Sequence, residues 1–289
     1  MPGKLFVVAT PIGNLEDMAP RAVRVLGEAG FIAAEDTRHT GHLLAHFGIR
    51  KPMISYHQFS EAKRTAEFLR RFEEGQSIAL VSDAGLPGLS DPGERLIRAA
   101  VEAGVPVEIV PGPSAPLLAL AGSGFPMVPF YFGGFLPVKS GQRRKELLAA
   151  AARDCTSVYF ESPYRVVRLL EDAVAEIPQA RLCLARELTK KFEEYRRGTA
   201  AELLEHFKKH EPRGEFCFVI ASADHRQGKK TGEAECEIER RVEEIKSGLE
   251  KGIPAGRAMK EARQAVAVNE VRRGSTKPTP QTPREGRSA

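Results

Sequence analysis

Several features are scarce or missing from this sequence, and each absence narrows what the chain can be. No apolar stretch approaches the ~20 residues needed to span a bilayer, and Met1-Pro2-Gly3-Lys4 leads straight into an apolar strand with no signal-peptide pattern. Neither a membrane-spanning nor a classically secreted protein is therefore expected. Cysteine is sparse, with four residues (Cys155, Cys183, Cys217 and Cys236) and no C-x-x-C pair. Two of them sit inside apolar runs, so the set reads as buried thiols of a reducing compartment and places the chain in the cytoplasm. His39, His42 and His46 fall three and four residues apart on one helical face, but no cysteine joins them and H-E-x-x-H is absent. No metal is expected there. Both common phosphate cradles, G-x-G-x-x-G and G-x-x-x-x-G-K-[ST], are also missing.

Charge of one sign is likewise in short supply. The net charge is +5, and from Asp224 onward there are 15 Lys/Arg against 11 Asp/Glu, compared with 28 and 27 before it. The body carries almost no net charge, so composition alone points only weakly to a nucleic-acid partner.

What is present is a regular alternation. The 289 residues suffice for two domains. Strands are predicted at Leu5–Ala9, Phe31–Glu35, Met53–Tyr56, Ser77–Ser82 and Val107–Val110, each followed by a helical pattern. Pro20 and Pro92 suit first helical turns, and Gly30 and Gly75 suit helix ends. This is the rhythm of a largely parallel, doubly wound α/β sheet. After the Gly/Pro-rich passage 122–129, read as a hinge, the rhythm restarts. Strands follow at Phe130–Gly133, Ser157–Glu161, Ala180–Arg186 and Glu215–Ala221, and helices near Lys139–Ala152, Tyr164–Glu176 and Ala200–Lys209. Thr199 and Glu202 have capping-box spacing before the last helix. The expected organisation is an α/β domain over residues 1–122, a second over 123–223, and a region 224–289 comprising a polar linker (224–230), a charged helical segment to about Val271 and a disordered end (274–289). No internal repeat is evident.

Three Gly/Pro-rich loops follow predicted strand ends: Thr10-Pro11-Ile12-Gly13-Asn14, the eleven-residue Asp83 to Gly93, and Pro111-Gly112-Pro113-Ser114-Ala115. Open α/β sheets bind ligands beyond the carboxyl ends of their strands, where small residues let main-chain groups approach. Together the loops outline one cleft, suited to a ligand held by main-chain atoms and a few carboxylates.

These loops, with Ala34-Glu35-Asp36-Thr37-Arg38, Phe132-Gly133-Gly134-Phe135-Leu136-Pro137, Phe160-Glu161-Ser162-Pro163-Tyr164-Arg165 and Arg186-Glu187-Leu188-Thr189-Lys190-Lys191, resemble in order the ribosomal RNA small subunit methyltransferase I group of the tetrapyrrole methylase superfamily. The resemblance covers about Leu5 to Ala221. It implies two α/β domains with a cleft for S-adenosylmethionine between them. It also implies 2′-O-methylation of a cytidine in the decoding region of 16S ribosomal RNA, by a homodimer acting on the small subunit. By motif position, donor contacts are implied at Pro11, Ile12, Gly13, Asp83, Ala84, Gly85, Leu86, Ser114 and Ala115, and in the second domain at Glu161 and Arg186. The first two loops lack the G-x-G-x-G-D and G-D-P types of the tetrapyrrole enzymes, which argues against a porphyrin-like substrate. Residues 253–271 resemble the group's C-terminal region only loosely.

Methyl transfer from a sulfonium rests mainly on alignment, because the leaving thioether needs no proton. A base near the acceptor hydroxyl would add ~10²-fold or more. Glu35, Asp36, His57 and Glu161 are strand-end candidates, with helix capping or ion pairing as the alternative for each. Arg38, Arg165, Lys190 and Lys191 lie near the same strand ends and are candidates for RNA phosphates. Tyr56 and His57 are candidates to stack on a splayed nucleotide, Tyr56 equally a core aromatic. Two other functions remain open at this stage: a methylase of a small metabolite, and a non-catalytic RNA-binding assembly factor.

Overall fold

The computed structural model describes residues 3–223, together with positions 242, 243, 245–247, 249–251, 253–255, 257 and 259. The chain divides into two compact units, Met1–Gln227 and Gly228–Ala289. In the second unit, described positions within 242–250 are helical, and Lys246 lies 3.7 Å from Glu243. The linker 224–230, Cys236 and the end 274–289 lie outside the described residues.

The first unit holds two five-stranded sheets. In the first, β1 (Leu5–Val8), β2 (Phe31–Ala34), β3 (Met53–Ser55), β4 (Ile78–Val81) and β5 (Val107–Val110) lie in the order β3-β2-β4-β1-β5. Every pairing is parallel. Sequences such as Phe-Ile-Ala-Ala in β2 and Ile-Ala-Leu-Val in β4 are buried throughout, as a parallel sheet covered on both faces requires. The helices are α1 (Pro20–Glu28), α2 (Thr37–His46), α3 (Glu61–Glu73) and α4 (Glu94–Glu102). They bury two clusters, one built on Val25, Leu26 and Ile32, the other on Phe68, Phe72 and Leu80. Pro20 opens α1 as expected. Pro92 does not open a helix: Gly93, at φ +142°, is the N-cap of α4 and leaves Pro92 in the preceding turn.

Helix α5 (Ala115–Ser123) follows β5 in sequence but packs on the second sheet. Ala119 and Leu120 are buried with Val158, Cys183, Ala185, Cys217 and Val219, and Ile12 of the first loop joins the same cluster. At Gly122 a Cβ would come within 2.1 Å of the Tyr195 ring, which sets how closely the helix approaches the sheet.

The second sheet contains β6 (Phe130–Phe135), β7 (Thr156–Glu161), β8 (Leu182–Arg186), β9 (Glu194–Gly198) and β10 (Phe216–Ile220) in the order β6-β7-β10-β8-β9. It is mixed: β6 and β7 are parallel, whereas β10 runs antiparallel to both β7 and β8. Its helices are α6 (Ser140–Ala152), α7 (Val166–Glu176) and α8 (Ala200–Lys209). The predicted capping box starts α8, with the Thr199 amide donating to Glu202 Oε2 at 2.7 Å. Strand β9 was not expected from the sequence, because Glu-Tyr-Arg-Arg-Gly lacks an apolar alternation. It forms on the sheet edge, where Glu194 pairs with Arg196 and lies 3.6 Å from Arg186. Cys183 and Cys217 are buried, whereas Cys155 is only partly covered, contrary to the expectation of uniformly buried thiols. Among the described residues no helix is long and apolar enough to cross a membrane.

Candidate active site

The three loops converge because five parallel strands end at one edge of their sheet. Thr10 and Gly85 bond each other through their backbones, with the Thr10 amide donating to Gly85 O at 2.9 Å and the Gly85 amide to Thr10 O at 3.1 Å. Gly85 has φ +77°, a conformation open to glycine at no steric cost. A Cβ on Gly112 would stand 2.8 Å from the Ala9 Cβ, so the third loop also abuts the first.

Between these loops and the second sheet lies a cavity of about 380 Å³, within the range of small-molecule sites. One wall comprises Ile12, Ala84–Leu86, Leu89–Asp91 and Ser114–Pro116. The other comprises Phe135, Phe160–Pro163, Leu188 and Glu215–Cys217. Asp91, Glu161 and Glu215 contribute three carboxylates, and the lining contains no lysine or arginine. The non-glycine residues with positive φ among those described are Ser90 (68°), Glu187 (50°) and Thr189 (65°). Ser90 lines the cavity, and Glu187 and Thr189 flank the lining residue Leu188. Such costly backbone conformations persist where surrounding structure holds them, commonly at ligand sites.

Relatives supply the remaining context. The profile of the Tetrapyrrole (Corrin/Porphyrin) Methylases matches residues 4–204. The chain is 44% identical over 260 residues to the ribosomal RNA small subunit methyltransferase I of Synechocystis sp., covering 90% of this chain and 91% of the relative. It is also 44% identical over 223 residues to the protein of the same name from Thermotoga maritima, covering 77% of this chain and 100% of the relative. The chain belongs to the ribosomal RNA small subunit methyltransferase I family. Among solved structures, uroporphyrin-III-C-methyltransferase from Thermus thermophilus superposes with a TM-score of 0.54 at 22% identity, covering 78% of this chain and 98% of that one. Diphthine synthase gives 0.57 at 14% identity, with 75% and 89% covered. At these identities the likeness establishes the tetrapyrrole methylase fold alone.

In this family member, seven of the residues expected at the donor line the cavity: Ile12, Ala84, Gly85, Leu86, Ser114, Ala115 and Glu161. Pro11, Gly13, Asp83 and Arg186 do not. Gly13, at φ +152°, passes beneath the Lys190 side chain. Asp83 knits strand ends together, its carboxylate accepting from the Asp36 amide at 3.2 Å and its own amide donating to Glu35 at 3.4 Å. Arg186 faces Glu194, and its Nε is buried with no hydrogen-bond partner among the described residues.

Of the candidate bases, Asp36 caps α2, accepting from the Arg38 amide at 2.8 Å, and that bond holds its carboxyl below the usual range. His57 sits on an exposed turn, its amide donating to Ser60 Oγ at 3.0 Å. Burial pushes the Glu35 carboxyl up against the opposing Asp83 amide, and the charges of Asp83 and Asp36 push it further. Burial also raises Glu161, against hydrogen bonds from the Ser162 amide (2.7 Å) and Arg165 Nε (2.5 Å). Asp91, absent from the sequence-derived candidates, lines the cavity, and its carboxyl is pushed up to about 6 by burial and by the charges of Glu35 and Asp83.

The candidate phosphate ligands separate into two kinds. Arg165 is paired with Glu161, and Lys190 lies 3.0 Å from both Glu187 and Glu215. Arg38 is largely exposed, 3.5 Å from Asp36, and the Lys191 ammonium lies 5.7 Å from the Phe192 ring centroid. Tyr56 must be reassigned. Its side chain is wholly buried, its ring stacks on Phe68 at 5.8 Å, and its hydroxyl is 3.1 Å from Thr65 Oγ1. It is a core residue and cannot stack on a nucleotide; burial pushes its hydroxyl up to about 12. Tyr56→Phe is accordingly expected to cost about 1 kcal/mol in urea denaturation, one buried hydrogen bond, and to leave methyl transfer unchanged. A selective loss of transfer with normal stability would restore a substrate role.

Sequence reasoning also passed over Phe135, Phe160, Leu188, Glu215, Phe216 and Cys217 as individual lining residues. The first three lie inside the motifs that carry the family resemblance. The last three are Glu215, just before β10, and the first two residues of that strand, whose antiparallel insertion beside β7 leaves no local mark in the sequence.

Proposed function

We propose that this methyltransferase transfers the methyl group of S-adenosylmethionine to the ribose 2′-hydroxyl of a cytidine in the decoding region of 16S ribosomal RNA, acting as a cytoplasmic homodimer on the small subunit. The observation that carries the reading is the cavity wall, with three carboxylates and no basic residue, beside loops that bear the family motifs. Glu161 and Glu215 are each paired with a cation outside the lining, so among the described residues the uncompensated charge of the wall is that of Asp91, which suits a cationic donor better than a phosphate.

The residues present fit that donor. Residues 84–86 and 114–116 line the cavity, where Gly85 and the short side chains of Ala84, Ser114 and Ala115 permit close approach, and Phe135 and Phe160, with ring centroids 5.4 Å apart, offer an apolar face. Glu161 is 3% exposed, and its Oε2 has no partner among the described residues, leaving an acceptor free for a ligand donor group. When bound, the donor supplies a methyl group on a sulfonium, whose thioether leaves without a proton. The protein's part is to hold that group and the acceptor hydroxyl in line and to exclude water. Ile12, Leu188 and the two phenylalanines provide the water-excluding surface. The exposed Arg38 and Lys191 are the side chains best placed, among those predicted, to hold RNA phosphates.

The test is incubation with methyl-labelled S-adenosylmethionine and small subunits from a strain lacking the activity, followed by nucleoside analysis. The expected product is labelled 2′-O-methylcytidine or a derivative of it, and RNase should abolish methyl acceptance. Donor binding with label only in small molecules would favour a metabolite methylase. Subunit binding with no donor affinity would favour an assembly factor.

A further inference from the structure

The register of the second sheet sets which of its loops border the cavity. Glu161 at the end of β7, Phe216 at the start of β10 and Arg186 at the end of β8 pair in one row, and Arg186 pairs onward with Glu194 at the start of β9. Two loops leave this edge, and each carries an exposed aromatic ring. Tyr164 directly follows the lining residues Ser162 and Pro163 and is 91% exposed. Phe192, between β8 and β9, is 65% exposed. Neither ring belongs to any of the hydrophobic clusters of the fold.

Exposure of a single apolar side chain is ordinary, but the mounting of these two is not. The Ser162 amide and Arg165 Nε both donate to the buried Glu161 carboxylate, at 2.7 and 2.5 Å, and Val166, which opens α7, is wholly buried. Tyr164 is therefore held outward from a backbone fixed on both sides. In the second loop the Thr189 amide donates to Glu193 Oε2 at 2.6 Å, and Lys190 lies 3.0 Å from both Glu187 and Glu215, which ties down the chain before and after Phe192. The Lys191 ammonium stands 5.7 Å from the Phe192 ring centroid, so an aromatic face and a cation sit side by side. Strands β7 and β9 are three strand spacings apart, about 14 Å, a distance that a few unstacked nucleotides cover.

We propose that Tyr164 and Phe192 are platforms on which unpaired bases of the RNA stack as the target nucleotide enters the cavity. The proposal rests on the methyl-transfer reading and adds how the acceptor strand is held. Every base has a face that can stack on an aromatic ring, whereas a continuous duplex keeps those faces hidden. The cleft mouth therefore takes a single-stranded or splayed segment and refuses paired RNA. Lys191 holds a phosphate beside the second platform. A protein partner fits less well, because the core of a protein interface is depleted in charge and these rings have Arg165, Lys190, Lys191 and Glu193 as chain neighbours. Stacking uses only the ring, so the Tyr164 hydroxyl has no part in it.

The experiment compares methyl transfer to small subunits by wild-type, Tyr164→Ala, Tyr164→Phe, Tyr164→Trp and Phe192→Ala chains, with S-adenosylhomocysteine affinity measured by calorimetry. Each alanine variant should lose about five- to 100-fold in kcat/KM for the subunit, the range set by one stacked base, and keep ligand affinity within about threefold. Tyr164→Phe and Tyr164→Trp keep a ring and should stay within about threefold of wild type. Wild-type transfer by either alanine variant overturns the assignment, as does a Tyr164→Phe chain impaired as much as Tyr164→Ala. So does a loss of ligand affinity as large as the loss of rate, which would place the ring at the donor instead. Contact is read directly from Tyr164→p-azidophenylalanine, illuminated on the subunit. A cross-link to 16S RNA is expected, and capture of a ribosomal protein, or of nothing, overturns the proposal. Absence of RNA methylation by the wild type would instead remove the reading on which it rests.

Discussion

Asp172→Asn should be among the most destabilising single substitutions in this protein, costing about 3–5 kcal/mol. Asp172 on α7 and Arg143 on α6 form an ion pair in which each side chain is only 6% exposed. The carboxylate also accepts from Arg144 Nε at 2.7 Å and from Ser140 Oγ at 3.1 Å, and Arg143 donates on to Val138 O at 3.0 Å. Neutralising the aspartate leaves a buried guanidinium without its counter-charge, and that uncompensated charge rather than a lost attraction sets the cost. Against a typical domain stability of about 5–15 kcal/mol this is a large fraction. Urea denaturation measures it; a loss below about 1 kcal/mol would mean that water reaches the pair. Replacing both partners, as in Arg143→Met with Asp172→Leu, should be far milder than the single change. The pH dependence provides a second check. Burial alone would raise the Asp172 carboxyl, but Arg144, Arg143 and Ser140 outweigh it and hold it below its ordinary value. A depressed carboxyl contributes stability that is fully present above the unfolded-state value near 3.9 and is lost as the pH falls through the folded-state one. The stability gap between wild type and Asp172→Asn should therefore close on acidification below about pH 4.

The parts of this molecule that could be read from its sequence are those whose cause is local. Strands β1, β2 and β4 are short apolar runs because both faces of a parallel sheet are covered. The loops after β1, β4 and β5 meet because parallel strands all end at one edge. The Thr199–Glu202 capping box is complete within four residues. What stayed hidden depends on partners distant in the chain. Strand β9 looks like a charged loop until Glu194 meets Arg186 and Arg196. Tyr56 looks like a strand-end aromatic facing the cleft until Phe68 and Thr65 of α3 enclose it. Lys190 reads as a phosphate ligand because Glu215, its ionic partner, is 25 residues away. Asp91 looks like one more turn aspartate, and only the folded arrangement brings Glu35 and Asp83 near enough to change its acidity.

The other large effect is expected at Gly13. A Cβ there would lie 2.4 Å from Cγ and 2.6 Å from Cε of Lys190, and its φ of +152° is itself strained for any other residue. The contact involves the stem of the lysine rather than its free end, so Gly13→Val cannot be relieved by a small swing of the ammonium. Lys190 must leave, and its bonds to Glu187 and Glu215 go with it. Those bonds matter because Glu215 lines the cavity on one side and Ile12, next to Gly13, lines it on the other. The substitution therefore loosens both walls at once. Overpacking and backbone strain each cost about 1–3 kcal/mol. Because about 1.4 kcal/mol is tenfold in affinity, S-adenosylhomocysteine should bind at least tenfold more weakly by calorimetry, with transfer reduced at least as much. Removing the obstructing stem tests the cause. Combining Gly13→Val with Lys190→Ala should lose less than the two single losses added together, since the clash disappears while the strain remains. Strict additivity would show that the lysine stem is not what the valine meets. Gly27→Ala is the control: it lies within α1, where a Cβ meets nothing within 4 Å, and should be neutral or slightly stabilising.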